Sequence, residues 1–331
     1  MIQSSGNFFQ NSHEVNPISV RLTMLYPEEL SKVCENCDNI LSSHNESLTP
    51  YYEYLRQTKG KMIRSIALFE SARATGGISD RHITAACALE LMHYASLVHD
   101  DIIDDAPTRR GNPATHIHFD THTAVILGDL LLSKGLYLFA SLGDADICAL
   151  VAETMNKIVE GELYQCSRVP VDSGSYLSII ESKTASLFGT AMYLGAYLNA
   201  SESAISWKTA GTALGMAFQI MDDIADSRKI LKKENISSTE QRELFTLPII
   251  LYLESLTEDD KKLLLDQLDN PTKQTREMLH INLQKSKCMD QVVSYAKTYL
   301  DTASQATHDF AGCSENFFTF FSLLIDSELH L

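Results

Sequence analysis

Apolar residues recur along most of the chain at spacings of three and four, the period of a helix with one buried face. The pattern predicts helices over residues 85–104, 123–141, 145–166, 176–198 and 204–228. The stretch TAVILGDLLLSKGLYLFASL is apolar on nearly every side, which favours a helix buried all round. Strand-like alternation with Asn-Gly or Asp-Gly turns is missing. The sequence therefore predicts an all-α fold, a large helical bundle.

Breaks between the helical segments are short and do not resemble linkers between domains. They fall at 75–80, 106–113, 169–175 and in the polar run 228–243, and apolar periodicity resumes on both sides of each. We therefore predict a single domain over 1–331, with residues 1–20 poorly ordered.

Composition narrows the classes of partner. Hydrophobic residues make up 44% of the chain, and 27 basic against 43 acidic residues give a net charge of −16. This balance argues against nucleic acid as a partner, because nucleic-acid binders carry a basic surface. An anionic substrate would need a local positive site, since the mean field of the protein repels it.

The cysteines and the hydropathy bear on location. Seven cysteines are scattered along the chain, and Cys34 and Cys37 form an isolated C-x-x-C without the second ligand pair of a zinc site. A reducing compartment fits this usage, so we expect a cytoplasmic protein. The N-terminal residues lack the pattern of a signal peptide, and no apolar run approaches the ~20 residues that span a bilayer. We therefore expect no stable membrane insertion.

The stretch LVHDDIIDDAPTRRG places carboxylates at the end of a predicted helix. Pro107 should end that helix near Asp104 or Asp105. Carboxylates near a helix C-terminus are each unfavourable by about 0.3–1 kcal/mol, so the cluster needs a compensating partner. One reading is a solvated acidic helix end. The other is a Mg²⁺ site, because Asp100, Asp101 and Asp104 have the i, i+1, i+4 spacing that can converge on a hard cation.

A second copy of this arrangement favours the metal reading. In FQIMDDIADSRK, Asp222, Asp223 and Asp226 repeat the spacing after another apolar helix. Six carboxylates lining one cavity would be prohibitive without cations and well suited to a metal-bridged diphosphate. The two motifs thus predict a deep central cavity that binds metal and diphosphate.

Cationic residues near these motifs could receive phosphate oxygens. Arg109 and Arg110 directly follow the first motif, Lys61 and Arg64 lie in GKMIRS, and Lys183 precedes Thr184 in an apolar stretch. Guanidinium groups bind phosphate bidentately and lysine adds a point charge. His93 lies seven residues before Asp100, two turns away on the same helix face.

Together these segments resemble the trans-isoprenyl diphosphate synthases of the polyprenyl synthetase family. The matching pieces, in the family's order, are GKMIR, ELMHYASLVHDDIIDDAPTRRGNP, AVILGDLLLS, EGELYQ, ESKTASLF, FQIMDDIAD and TLPII. The resemblance implies an isoprenoid synthase type I fold, a homodimer, and Mg²⁺-dependent head-to-tail condensation of isopentenyl diphosphate with an allylic diphosphate.

The resemblance also assigns roles to individual residues. Asp100, Asp101 and Asp104 would hold two Mg²⁺ ions on the allylic diphosphate, and Asp222 and Asp223 a third, supported by Asp226. Arg109 and Lys183 would contact the same diphosphate. The isopentenyl diphosphate site would comprise Gly60, Lys61, Arg64, His93 and Arg110. Thr184 and Gln219 would face the developing allylic cation with their oxygen atoms.

Product length is expected to depend on side chains just before the first motif. Short-chain members of the family carry an aromatic residue four or five positions before the first aspartate, where this chain has Ser96 and Ala95. The nearest aromatic residue is Tyr94, one step further back. We therefore predict a trans-polyprenyl product longer than C20, unless Tyr94 turns inward and stops growth.

Some positions depart from the family pattern and leave alternatives open. Met62 and Ser65 replace a usual basic residue and a usual proline, and the segment 228–245 lacks the two Gly-Lys pairs. A non-catalytic subunit of a heteromeric synthase is one alternative, although such subunits usually lose motif aspartates. A class I terpene cyclase is another, although it would not need Lys61, Arg64 and Arg110.

Overall fold

A computed structural model describes residues 24–42, 45–57, 60–167, 170–233 and 244–308, with the single positions 236 and 318. The predicted disorder of residues 1–20 lies outside these ranges. Helices dominate the described residues. Four of the five predicted helices are present with ends shifted by a few positions, and the fifth, over 176–198, is divided in two. The helices are α1 (Pro27–Ile40), α2 (Thr49–Gln57), α3 (Ile63–Thr75), α4 (Asp80–Ile103), α5 (Thr115–His118), α6 (Thr121–Ser141), α7 (Ala145–Ser167), α8 (Ser173–Ile180), α9 (Ser186–Tyr197), α10 (Ala204–Lys232), α11 (Leu247–Glu254), α12 (Glu258–Leu268), α13 (Lys273–Lys285) and α14 (Cys288–Thr307).

The chain divides into two compact units. The first unit comprises Met1–Ile66 and Ser79–Asp144, and the second comprises Ala67–Ile78 and Ala145–Leu331. A single domain over the whole chain stays a prediction.

In the first unit, α4 packs against α6 and α1. Its N-terminus is fixed by a capping box, in which Ser79 and His82 satisfy each other's free backbone groups. The helix ends at Ile103 and is followed by a two-stranded hairpin, β1 (Thr108–Arg109) and β2 (Asn112–Pro113), paired antiparallel. Pro107 thus ends the helix where the sequence predicted, with both acidic pairs in or just after its last turns.

Helix α6 corrects the expectation of a helix buried all round. Leu127, Leu131 and Phe139 are buried, but Val125 and Ile126 are exposed and Tyr137 is 65% exposed. Among the described residues, α6 is the one helix long and apolar enough to cross a membrane by length and composition, with 33% of its most apolar window buried. The premise that no run is apolar enough is therefore wrong. Core helices of soluble proteins pass the same test, so the absence of membrane insertion stays a prediction.

In the second unit, α10 is the central helix and packs against α9, α11, α13 and α14. Trp207, Leu214 and Ile220 on α10 are fully buried. Ile230 and Leu231 at its end join a separate apolar cluster with α11, α12 and α13. The second acidic motif therefore lies on a helix whose packing holds it over most of its length.

A π-helical turn, Glu181–Ala185, separates α8 from α9 where the sequence predicted one continuous helix. The backbone N–H of Ser186 donates to Glu181 O, five residues earlier. Hydroxyls compensate for the widened turn, because Ser182 Oγ donates to Ser178 O at 3.0 Å and Ser186 Oγ to Ser182 O at 2.6 Å. π-turns are rare and occur often at functional sites, and this one contains Lys183 and Thr184.

Candidate active site

The first acidic motif has one inward and two outward carboxylates. Asp101 is only 2% exposed, whereas Asp100 and Asp104 are partly exposed. Arg109, on β1, donates to Asp101 Oδ1 from Nε at 2.8 Å and also from Nη2. Arg109 is thus the compensating partner that the acidic helix end requires. The same contact holds the hairpin against the end of α4.

The negative charges of the first motif stabilise the positive charge of Arg109. Burial lowers the pKa of the Arg109 guanidinium, and the hydrogen bond and charge of Asp101 oppose this effect. With the charges of Asp100 and Asp104 added, the pKa of Arg109 is raised. The guanidinium is therefore permanently charged beside the motif, ready for an anion.

A pocket lies beside His93, which precedes Asp100 by seven residues on the same helix; it is called the cationic pocket below. A cavity of about 60 Å³ is lined in part by Gly60, Met62, Glu90, His93, Tyr94 and Arg110. A Cβ atom at Gly60 would lie 2.8 Å from Nη2 of Arg110, so a larger residue would displace that guanidinium. Met62 and Arg110 have left-handed backbone, with φ of 52° and 53°. Such strain is typical of functional sites.

His93 is held neutral in this pocket. Burial lowers the pKa of His93 well below 6.5, and the positive charges of Arg64, Arg110 and Arg109 lower it further. The imidazole can therefore hydrogen-bond an anion without carrying charge, while the guanidinium groups supply the positive field. The cavity is lined by Arg56 and Arg110 but also by Asp38 and Glu90, so its positive field is local to His93.

The other predicted site residues of the first unit are Lys61, Tyr94, Ala95 and Ser96. Lys61 is exposed and does not line the cavity. Ala95 is buried by protein, and Ser96 donates its hydroxyl to His93 O at 2.8 Å. Tyr94 lines the cationic cavity with His93.

The second acidic motif repeats the arrangement of the first, within the second unit. Asp223 is 3% exposed, whereas Asp222 and Asp226 are exposed. Asp223 accepts hydrogen bonds from Tyr176 Oη at 2.6 Å, Gln219 Nε2 at 3.1 Å and the N–H of Leu247 at 3.4 Å. Burial raises the pKa of Asp223 to about 6, although these hydrogen bonds oppose the rise.

Lys183 and Thr184 both lie in the π-turn, and their side chains contact different partners. Lys183 forms an ion pair with Glu162 and donates to Gln165 Oε1 at 2.6 Å, both on α7. Thr184 donates its hydroxyl to Gln219 Oε1 at 2.9 Å. The structure thereby brings the predicted Thr184 and Gln219 together and joins them, through Gln219, to Asp223.

Sequence reasoning missed three residues that hold the second acidic motif and Lys183: Tyr176, Glu162 and Gln165. Tyr176 is buried and lies 47 residues from its partner Asp223. Glu162 and Gln165 were visible only as part of EGELYQ, with no partner named. Their spacing of three residues on α7 is the one signal that they face the same neighbour.

The arrangement of donor atoms in the two motifs limits which metal ion they could bind. Among the described residues, no group of three or more His, Cys, Asp or Glu side chains is arranged to hold a metal ion. Each motif instead presents two outward carboxylates one helical turn apart. Mg²⁺ commonly takes one or two protein carboxylates and completes its shell with water and phosphate oxygens. The donors therefore fit Mg²⁺ that arrives with a diphosphate.

Comparison with known proteins adds an independent line of support. Residues 45–283 match the family model described as Polyprenyl synthetase. The geranylgeranyl diphosphate synthase of Saccharolobus solfataricus is 29% identical over 303 residues, 85% of this chain and 90% of that protein. The structure of heptaprenyl diphosphate synthase from Staphylococcus aureus is similar with a TM-score of 0.80 and 26% identity, covering 91% and 98% of the two chains. A polyprenyl synthase from Caulobacter crescentus CB15, crystallised with calcium and isoprenyl diphosphate, shares the fold with a TM-score of 0.81 and 24% identity, covering 97% and 99%.

Proposed function

Because the chain belongs to the polyprenyl synthetase family, we propose that it condenses isopentenyl diphosphate head to tail with an allylic diphosphate in a Mg²⁺-dependent reaction. Its relatives identify it as a prenyltransferase that makes an isoprenyl diphosphate. The all-α fold predicted from the sequence and the isoprenoid synthase fold implied by the resemblance are both confirmed.

The arrangement of side chains along α4 supports the proposal most strongly, because two groups within the first unit could each receive a diphosphate. Its end bears the outward carboxylates Asp100 and Asp104, suited to a metal-bound diphosphate. Seven residues earlier, or about 10 Å along the axis at 1.5 Å per residue, His93 lies among guanidinium groups suited to a diphosphate without metal. An enzyme with two diphosphate substrates needs two sites of this kind.

Within each motif we assign the outward carboxylates to metal and the buried carboxylate to positioning. Asp100 and Asp104 in the first unit, and Asp222 and Asp226 in the second, are accessible to a cation. Asp101 and Asp223 are occupied by protein donors. When bound, Mg²⁺ would neutralise the diphosphate and make pyrophosphate a better leaving group. The resemblance implies instead that Asp101 and Asp223 also ligate metal directly and that three ions bind. Both stay predictions that compete with this assignment.

The chain's own side chains would do the remaining chemistry. As the resemblance implies, Arg109 and Lys183 would each contact the allylic diphosphate, and a positive charge beside oxygens that become more negative lowers the barrier. Arg64, His93 and Arg110 would hold isopentenyl diphosphate so that its double bond can attack the allylic C1, and Gly60 leaves room for the Arg110 guanidinium. The contact of Lys61 with the same diphosphate stays a prediction of the resemblance, because Lys61 does not line the cavity. Because Thr184 donates its proton to Gln219, the lone pairs of its Oγ1 stay available to the developing cation.

Tyr176→Phe is expected to raise the Mg²⁺ concentration for half-maximal rate about tenfold. The variant removes one of the donors that hold Asp223, and outer-shell partners of metal sites commonly contribute 10–100-fold to affinity. A Mg²⁺ titration of the condensation rate measures the change, and calorimetry of Mg²⁺ binding in the presence of pyrophosphate checks it without turnover. Tyr197→Phe is the matched control, because the Tyr197 hydroxyl donates to Asp146, at 3.5 Å in an exposed position, and not to a motif aspartate. An unchanged Mg²⁺ requirement in Tyr176→Phe would contradict the positioning role.

We propose a product longer than C20, because small side chains occupy positions 95 and 96. Chromatography of the products from isopentenyl and farnesyl diphosphates should show a main chain beyond C20. Ser96→Phe should shorten it by at least one C5 unit, whereas Thr84→Phe, three turns earlier on α4, should not. A C15 or C20 main product from the unaltered protein would overturn the length assignment.

The same assay separates the alternatives. A cyclic hydrocarbon formed from the allylic substrate alone would indicate a terpene cyclase. An inactive protein that gains activity with a second chain would indicate a regulatory subunit. All six motif aspartates and the cationic pocket favour the synthase.

We propose that the protein forms a homodimer and that the exposed apolar face of α6 contributes to it. Val125, Ile126, Leu136 and Tyr137 expose apolar surface on this one helix. Contiguous exposed apolar patches commonly mark interfaces. We also propose a cytoplasmic location, because the scattered cysteines fit a reducing compartment.

A further inference from the structure

Two cysteine thiols from separate helices of the first unit lie in contact. The Sγ atoms of Cys37, on α1, and Cys87, on α4, are 2.8 Å apart although the residues are 50 positions apart in the chain. A disulfide bond is about 2.05 Å long, so the two atoms need to approach by only about 0.8 Å to bond.

The C-x-x-C of α1 is divided between two partners. Cys34 directs its thiol to Met62 Sδ at 3.7 Å, whereas Cys37 directs its thiol to Cys87. Cys34 and Cys37 are therefore not arranged as a pair, and the sequence motif alone would suggest the wrong partner. Cys37 and Cys87 are the pair that the fold brings together.

Access to the two thiols is unequal. Cys37 is half-buried and lines the same cavity as His93 and Arg110. Cys87 is fully buried beneath it. Cys34 lines the cavity too, but it is buried and its thiol is directed to Met62. A small oxidant entering the cavity would therefore meet the more exposed Cys37 thiol, and the described thiol in contact with it is that of Cys87.

We propose that Cys37 and Cys87 are a redox modification site that forms a reversible disulfide between α1 and α4. With hydrogen peroxide as oxidant, the Cys37 thiol becomes a sulfenic acid and one water is released. The Cys87 thiol then attacks the Cys37 sulfur, the S–S bond forms, and the sulfenic oxygen leaves as a second water. Overall, two thiols and one peroxide give one disulfide and two waters. A dithiol reductant reverses the change.

The surroundings of Cys37 set the reaction's speed. The hydrogen bond to Cys87, burial, and the negative charges of Glu90 and Asp38 all raise the pKa of the Cys37 thiol. The thiolate is the reactive form. Oxidation should consequently be slow and need peroxide in excess, which suits a site that stays reduced under ordinary conditions.

Oxidation would act on the cationic pocket through α4. Cys87 precedes Glu90 and His93 on that helix by about one and two turns, and both residues line the cavity. Drawing α1 toward α4 would narrow the cavity beside His93. This consequence, unlike the disulfide itself, rests on the proposed function of the pocket.

The chemistry is tested on the full-length, reduced protein treated with excess hydrogen peroxide. We expect a mass loss of about 2 Da, mapped by peptide analysis to Cys37–Cys87, and full reversal by dithiothreitol. The oxidised protein should unfold at a temperature roughly 5 °C higher, because the cross-link restricts the unfolded chain. Cys37→Ser and Cys87→Ala should each abolish the mapped link, whereas Cys34→Ser should retain it. Absence of the link, or a link between Cys34 and Cys37 instead, would overturn the proposal.

An activity measurement tests the coupling separately. Oxidation should raise KM for isopentenyl diphosphate at least threefold in the unaltered protein, and dithiothreitol should reverse the change. In Cys37→Ser and in Cys87→Ala, the peroxide-treated and untreated forms of each variant should have the same KM. An unchanged KM in protein shown to carry the link would overturn the coupling alone. Failure of the reduced protein to condense its substrates would instead count against the proposed function and leave the disulfide intact.

Discussion

Replacement of Asp100 by asparagine is expected to lower kcat about a thousandfold, equivalent to ~4 kcal/mol of transition-state stabilisation. Asp100 is an outward carboxylate of the first motif, and asparagine keeps its size while removing the charge that a Mg²⁺ ion requires. Steady-state condensation rates measure the loss, and an unchanged unfolding temperature would show that the fold is retained.

Asp105→Asn provides the matched control on the same segment. Its carboxylate is 81% exposed and lies outside the i, i+1, i+4 pattern. Asp105 has left-handed backbone with φ of 49°, a conformation that asparagine tolerates. This variant should keep kcat within about threefold, as expected for an exposed surface substitution. If Asp100→Asn kept more than a tenth of the activity, the first motif would not be the metal site.

Lys183→Met is expected to lower kcat/KM for the allylic substrate about a hundredfold. Methionine preserves much of the side-chain volume but removes the charge that would meet the leaving diphosphate, and such a charge-assisted contact corresponds to ~2.7 kcal/mol. The loss should appear with the allylic substrate varied and isopentenyl diphosphate saturating.

Lys157→Met is the control for loss of a lysine–glutamate pair on α7. Lys157 Nζ lies 2.9 Å from Glu153 Oε1, and both side chains are exposed. Exposed pairs contribute about 0–1 kcal/mol, so activity should change little. Equal losses in the two variants would mean that Lys183 acts through its pair with Glu162 rather than on substrate.

The helices and their ends could be predicted because their causes are local. Apolar periodicity located α4, α6, α7 and α10, and Pro107 located the end of α4. The resemblance then supplied residues that the structure groups within each unit, including His93 with Arg110 and Thr184 with Gln219.

The division of labour within each acidic triplet could not be predicted, because it depends on distant partners. Neighbouring helix positions differ by about 100° in direction, so one of two adjacent aspartates faces inward. Which one can be buried depends on a donor from elsewhere: Arg109 from a hairpin for Asp101, and Tyr176 from α8 for Asp223.

Two other features escaped prediction for different reasons. Hydropathy marks the side chains of α6 as apolar but does not say which of them face a neighbour, and Ile126 and Tyr137 do not. A period of 3.6 residues is also too coarse to detect one additional residue in a turn, so the π-turn at Glu181–Ala185 was read as ordinary helix.

Because of that π-turn, the number of residues between α8 and α9 cannot change without rotating one helix relative to the other. Deleting one residue between Glu181 and Ala185 would restore a regular helix and rotate Tyr176 by about 100° relative to α9. Chimeras that exchange parts between related synthases should therefore join outside these five residues and transfer ESKTA as a single block.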